Sequence, residues 1–181
     1  MNTIYIATSL DGHIADKNGG IEWLSSLPNP EGNDFGFADF VNKMDALVMG
    51  RNTFETVLGF DCPWPYSKHV FVLTNSLTTV PDKVKDLATV VSGDLKDVVA
   101  AIHSKGYKNL YIDGGKTIQS FLRQNLIDEM IITTIPVVLG GGTPLFSNLE
   151  KPIDFELVGT EILLGQLVKH HYRKIYNRSS S

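Results

Sequence analysis

The chain has 181 residues, 43% of them apolar, and one cysteine, Cys62, which is enough length to bury a core without disulfide or structural metal. A formal charge of -4 argues against the broad basic field that draws proteins to nucleic acid, and a lone cysteine excludes an intramolecular disulfide or a cysteine-rich zinc site. Met1-Asn2-Thr3 leads straight into an apolar run with no basic leader, and no stretch reaches the roughly 18 apolar residues of a membrane-crossing helix; no membrane role and a cytoplasmic location are expected.

In chain order, β-branched and apolar runs bounded by turn formers predict a strand at 4–7, a helix at 35–43, a strand at 46–49 and a short helix at 53–58. Strands follow at 70–73 and 88–91, then a helix at 95–104 that Asp94 caps and Gly106 stops. A strand at 110–112, a helix at 117–124 and a strand at 130–135 complete the alternation. Beyond Pro152 the pattern becomes a hairpin, 155–160 and 166–176, turned through Leu163-Leu164-Gly165. This order predicts an α/β fold: a mixed, mainly parallel sheet flanked by helices and finished by antiparallel strands. One domain over 1–176 is expected, with the polar stretch 177–181 a frayed tail.

Several strand ends carry phosphate-compatible chemistry. Asp113-Gly114-Gly115-Lys116 stands between a strand and a helix beginning near Thr117, where free backbone amides and a helix dipole favour an anion. It is neither a Rossmann fingerprint, since it lacks the third glycine and has Thr134 where the acidic residue would fall, nor a P-loop. Gly50-Arg51-Asn52-Thr53 follows another strand, pairing a planar guanidinium with a capping hydroxyl. Leu73-Thr74-Asn75-Ser76 ends a third. Each reads equally as an ordinary turn or cap when taken alone. Gly140-Gly141-Gly142 suits either a tight crossing or a close ligand contact. The five histidines show no metal-ligand spacing; His170 and His171, adjacent on a strand, point to opposite faces.

Taken together, the segments beginning Ile6-Ala7-Thr8-Ser9-Leu10-Asp11-Gly12 and Met49-Gly50-Arg51, with Asp113-Gly114-Gly115 and Leu139-Gly140-Gly141-Gly142-Thr143-Pro144-Leu145-Phe146, resemble the dihydrofolate reductase superfamily. The resemblance is nearest to the branch containing the riboflavin-biosynthesis reductase domain and its stand-alone relatives. It implies a three-layer α/β/α fold and NADPH lying across the strand ends. The nicotinamide would lie near Ala7 and Ile14, and the pyrophosphate against Thr53 and the Gly114-Gly115 turn, with Gly50, Asp113 and Thr117 also at the cofactor. The adenosine phosphate would meet Arg51, with Leu73, Thr74, Asn75 and Lys116 nearby. The implied reaction is hydride transfer to a C=N or C=O carbon of a pteridine or pyrimidine, as in a dihydrofolate or phosphoribosylaminouracil reductase, with Asp34 or Asp39 as the candidate catalytic carboxylate. Each carboxylate reads otherwise as a helix cap or a solvated face. A binding protein that keeps the pocket without turnover is the alternative, and a homodimer is implied.

One departure stands out. Riboflavin-branch reductases carry a phosphoribosyl-binding segment where this chain has 59–67, Gly-Phe-Asp-Cys-Pro-Trp-Pro-Tyr-Ser. An aromatic, proline-rich loop suggests a flatter, less anionic substrate. Trp23, Trp64 and Tyr66 could stack on such a ring or anchor loops to the core.

Overall fold

Alternate residues of the central strands enter different cores, and for that reason the strands read as unbroken apolar runs. In the computed structural model, which describes residues 1–176, Ala46 and Val48 are buried in one apolar cluster while Leu47 and Met49 are buried in another. The expected tail, 177–181, lies outside the described residues.

The elements are β1 Asn2–Thr8, β2 His13–Ala15, α1 Phe37–Lys43, β3 Ala46–Gly50, α2 Arg51–Leu58, β4 His69–Leu73 and β5 Ala88–Val91. Then come α3 Leu95–Ser104, β6 Leu110–Asp113, α4 Gly115–Arg123, β7 Glu129–Thr134, β8 Thr143–Pro144, β9 Phe155–Leu163 and β10 Leu167–Lys174. Eight strands form one sheet in the order β5-β4-β3-β6-β1-β7-β10-β9. Pairings from β5 through β7 are parallel, and β10 joins β7 and β9 antiparallel. The mixed, mainly parallel sheet and the closing hairpin are as the pattern predicts.

Helices cover both faces. The apolar stripes of α3 (Val98, Val99, Ile102) and α4 (Ile118, Phe121, Leu122) pack with Ile4, Val48 and Ile112; α1 (Phe40, Val41) and α2 (Phe54, Val57) cover the other side over Leu47, Val70 and Tyr111. The sheet extends past α1 on that side, where Glu129, only 9% exposed, ties β7 to β10 through His171 (3.0 Å) and Arg173 (3.0 Å). A carboxylate so enclosed is sustained by its two cationic or donor partners.

Two differences from the sequence pattern have local causes. Helix α1 starts at Phe37 and not at 35, because Phe35 and Gly36 both take positive φ, 58° and 88°. The short ribbon of β2 and β8, three and two residues long, offers too little alternation to be read in advance. Its close approach requires glycine: at Gly142, with φ +132°, a Cβ would strike the Ala15 carbonyl. Of the glycine triplet, Gly142 is the one that this crossing of backbones requires.

Candidate functional site

Strands β3 and β6, remote in sequence, are neighbours with Met49 opposite Asp113, so both end at the same level. Each feeds a helix at once, α2 after Gly50 and α4 after Gly114. The two helix starts interlock. A Cβ at Gly114 would lie 2.5 Å from Thr53 Oγ1, and one at Gly50 would lie 2.8 Å from Thr117 Oγ1. Each glycine thus makes room for the threonine of the opposite helix. Gly114 also has φ +93°, which L side chains rarely adopt.

Neither helix has a side-chain cap. The first-turn amides of a helix have no partner within it, so two adjacent sets of donors and two positive dipole ends open on one cleft of about 830 Å³. Arg51 and Lys116 line it with them. Arg51 is held at the rim by Ser76, whose Oγ accepts from Nη1 at 2.9 Å, and by Glu55, 3.3 Å from Nε. Thr74 in turn lies 3.1 Å from the Ser76 hydroxyl. This donor set fits a pyrophosphate with a further phosphate beside it.

Asp113 lines the same cleft. Its carboxyl accepts from the Gly114 amide at 2.8 Å. Burial beside Tyr111 and Tyr66 pushes it above the usual carboxylate range, against the Gly114 and Tyr111 hydrogen bonds that pull it down.

Beside the start of α4, Ile14 and Thr143 line the cleft, and Gly115 packs against Ile14, where a Cβ would come within 2.7 Å of Cδ1. Asp11 ties the segment before β2 to the one before β8. It accepts from Ser9 Oγ at 2.6 Å and from the Leu139 and Gly140 amides at 3.0 and 2.9 Å. Those bonds, the Ser9 hydroxyl first, hold its carboxyl far below the usual range. Asp11 belongs to the Ser9-Leu10-Asp11-Gly12 segment, and its long-range partners come from the fold.

The cleft meets a second cavity, about 470 Å³, at Ile6, which lines both. Ala7, Asp34, Phe35 and Thr133 line this second space together with the 24–29 segment and Leu164. Of the residues expected at a cofactor, Ile14, Gly50, Arg51, Thr53, Leu73, Asp113, Gly114, Gly115, Lys116 and Thr117 line the cleft, Ala7 lines the second cavity, and Thr74 and Asn75 line a small recess that continues from the cleft at Leu73 and Ser120.

The two candidate carboxylates part company. Asp34 is in the second cavity, where its oxygens accept from the Gly36 amide at 2.9 Å and the Ala38 amide at 2.8 Å. These bonds, Ala38 first, lower its pKa. Asp39 lines a different cavity, under Thr3, Lys43 and His171, that has only Tyr5 in common with the second. Trp64 and Tyr66 pack edge-on, with Trp64 also against Phe54 at 5.8 Å, and Trp23 donates to the Gly20 carbonyl at 3.2 Å; none of the three lines the cleft or the second cavity. The 24–29 segment had no sequence signal, since a loop acquires a role only from what the fold sets beside it; Ile6 and Ser76 stood within motifs named above, but their positions at the junction and beside Arg51 come from the fold.

A fold whose ligand cleft crosses the carboxyl ends of its strands, with this motif set, defines a reductase-like domain class. The chain belongs to the RibD C-terminal domain family, whose model matches residues 3–168. It is 38% identical over 172 residues to the uncharacterized protein YwjB of Bacillus subtilis strain 168, covering 93% of this chain and 95% of that one. A crystal structure from Shewanella sp. PV-4, provisionally named a riboflavin biosynthesis protein, is 51% identical with a TM-score of 0.93, over 96% of this chain and 98% of the other. Dihydrofolate reductase of Enterococcus faecalis, solved with NADP(H), aligns with a TM-score of 0.62 at 18% identity, over 96% of both chains. The fold is therefore that of dihydrofolate reductase.

Proposed function

We propose that this chain is an NADPH-dependent reductase that delivers hydride to a C=N or C=O carbon of a pteridine- or pyrimidine-type heterocycle. The observation that carries this reading is the interlocked pair of uncapped helix starts beside Arg51. Gly50, Thr53, Gly114, Gly115 and Thr117 would hold the pyrophosphate, and Arg51 with Thr74, Asn75 and Lys116 the adenosine phosphate. NADPH supplies the hydride. The chain's own residues bind and position: Ile14 and Ala7 shape the place where cleft and second cavity meet, and the apolar wall of that cavity excludes water from the reacting ring. Asp34 stands there as an ionised acceptor able to orient a ring N–H. A cytoplasmic location and a homodimer belong to the same proposal; among the described residues no helix is long and apolar enough to cross a membrane.

Arg51→Ala tests the cofactor. It is expected to weaken NADPH binding by roughly tenfold, about 1.4 kcal/mol, and to leave NADH affinity unchanged in fluorescence titrations. An unchanged preference for NADPH would remove Arg51 from the reading.

Binding without turnover is favoured by one observation. The carboxylate in the second cavity already accepts from two backbone amides, and no lysine, arginine or histidine lines that cavity among the described residues, so no cationic side chain there is at hand to give a proton. NADPH oxidation with pterins, dihydrofolate and ribosylaminouracils, with binding measured on the same sample, separates the two: tight NADPH binding with no oxidation on any ring selects the binding protein.

A further inference from the structure

The second cavity differs from the cleft in charge. Leu24, Leu27, Pro28, Ile135, Leu164 and Leu167 make most of its wall apolar. No lysine, arginine or histidine lines it among the described residues. Its carboxylate is Asp34, and the remaining polar side chains, from Tyr5, Ser25, Asn29 and Thr133, are neutral. The cation that acts on Asp34 is Lys169, which is not part of this wall and is already paired. Its Nζ donates to the Phe35 carbonyl at 3.0 Å and pairs with Glu161 at 2.6 Å, and it lines the separate cavity under α1.

An anionic group entering this space would face a carboxylate and lose water to an aliphatic wall, with no cation to offset either cost. The 59–67 segment does not supply one. Trp64 and Tyr66 are turned into the core, and Phe60 lines the cleft, not the second cavity. The chain's anion-binding groups, Arg51, Lys116 and two helix starts, are all on the cleft side of Ile6.

We propose that the second cavity takes a neutral heterocycle bearing no phosphate or other anionic substituent, which sets this chain apart from a reductase of phosphoribosylated rings. The proposal rests on the reading of the cleft as a nucleotide site. About 470 Å³ accommodates two fused rings with a short substituent, within the ordinary range of small-molecule sites.

The test uses the full chain loaded with NADP⁺, so that the anion sites of the cleft are filled before the rings are added. Two matched pairs are titrated by calorimetry: 6-hydroxymethylpterin with its phosphate monoester, and 5-amino-6-ribosylaminouracil with its 5′-phosphate. In at least one pair the neutral ring is expected to bind about tenfold or more tightly than its ester. Leu164→Lys, at an exposed turn beside the cavity, should narrow that gap about fivefold or more by adding a cation; Leu27→Lys is the second variant should the first fail to fold. Esters binding as tightly as the neutral rings, or no ring binding at all, overturns the proposal. Failure of the cleft reading is separate, because it shows as absent NADP⁺ binding in the first titration. The same four titrations on the unloaded protein then decide the charge preference alone.

Discussion

Helices α2, α3 and α4 all begin just after a strand, yet they treat their first amides in two ways. At α3 the Asp94 carboxylate accepts from the Lys96 amide at 2.9 Å and the Asp97 amide at 3.4 Å, which closes that end with the protein's own charge. At α2 and α4 the capping positions are Gly50 and Gly114, and no side chain caps either. A capped start stabilises the helix; an uncapped start leaves donors for something outside the chain. On the reading of the cleft as a nucleotide site, local stability is given up where an anion would be received and kept where none would be.

The sharpest way to break this contrast is to make α2 resemble α3. Gly50 has φ -78° and ψ 167°, values any residue accepts, so Gly50→Asp with Thr117→Ala, which removes the hydroxyl in the way, should cap α2 and place a carboxylate in the cleft. NADPH affinity is expected to fall roughly 100-fold, about 2.7 kcal/mol, while Tm holds or rises. Retained affinity would show that the free amides of α2 are not used. The converse change, Asp94→Ala, should cost about 1 kcal/mol and lower Tm by roughly 2–4 °C in a chain of this size.

A smaller effect separates Asp113, which lines the cleft, from Asp11, which ties two loops together outside its lining. Asp113 has its pKa raised by burial, so the folded state disfavours its charge. That cost is absent below the ordinary carboxylate pKa and grows as pH rises toward the folded-state value. Asp113→Asn keeps an acceptor for the Gly114 amide and should raise Tm by roughly 2 °C at pH 7, with the gain vanishing near pH 3. Asp11 has the opposite sign: its pKa is depressed, so its contribution is present above the ordinary carboxylate pKa and disappears as pH falls through the folded one. Thermal melts across pH separate the two.

Much of this was legible in advance. The parallel strands fall within two residues of their predicted ends because cores on both faces demand continuous apolar runs, whereas the exposed β9 runs three residues past its expected end, to Leu163; α3 is bounded by residues whose roles are local, Asp94 and Lys105-Gly106. Helices α2 and α4 start two residues earlier than their patterns suggest, since Gly115 and Arg51 occupy first-turn positions where helical periodicity is not yet visible. Asp34 and Asp39 were competing candidates, about one helical turn apart in sequence. The positive φ values at Phe35 and Gly36 set Asp34 before the helix, bonded to its amides, while Asp39 rides on the helix over a different cavity.

What could be read from residues alone was therefore whatever depends on neighbours along the chain: apolar period, caps, turn glycines and the set of short motifs that carries the family. The pairing of β3 with β6, which brings Gly50 against Thr117 and Gly114 against Thr53, joins segments more than sixty positions apart. Likewise Ile6, Asp34 and Leu164 share one cavity only after β1, the start of α1 and the last hairpin have assembled. Such juxtapositions arise from sheet order and from burial of both sheet faces, which no local pattern encodes, and they determine which donors face the cleft and which cavity lacks a cation.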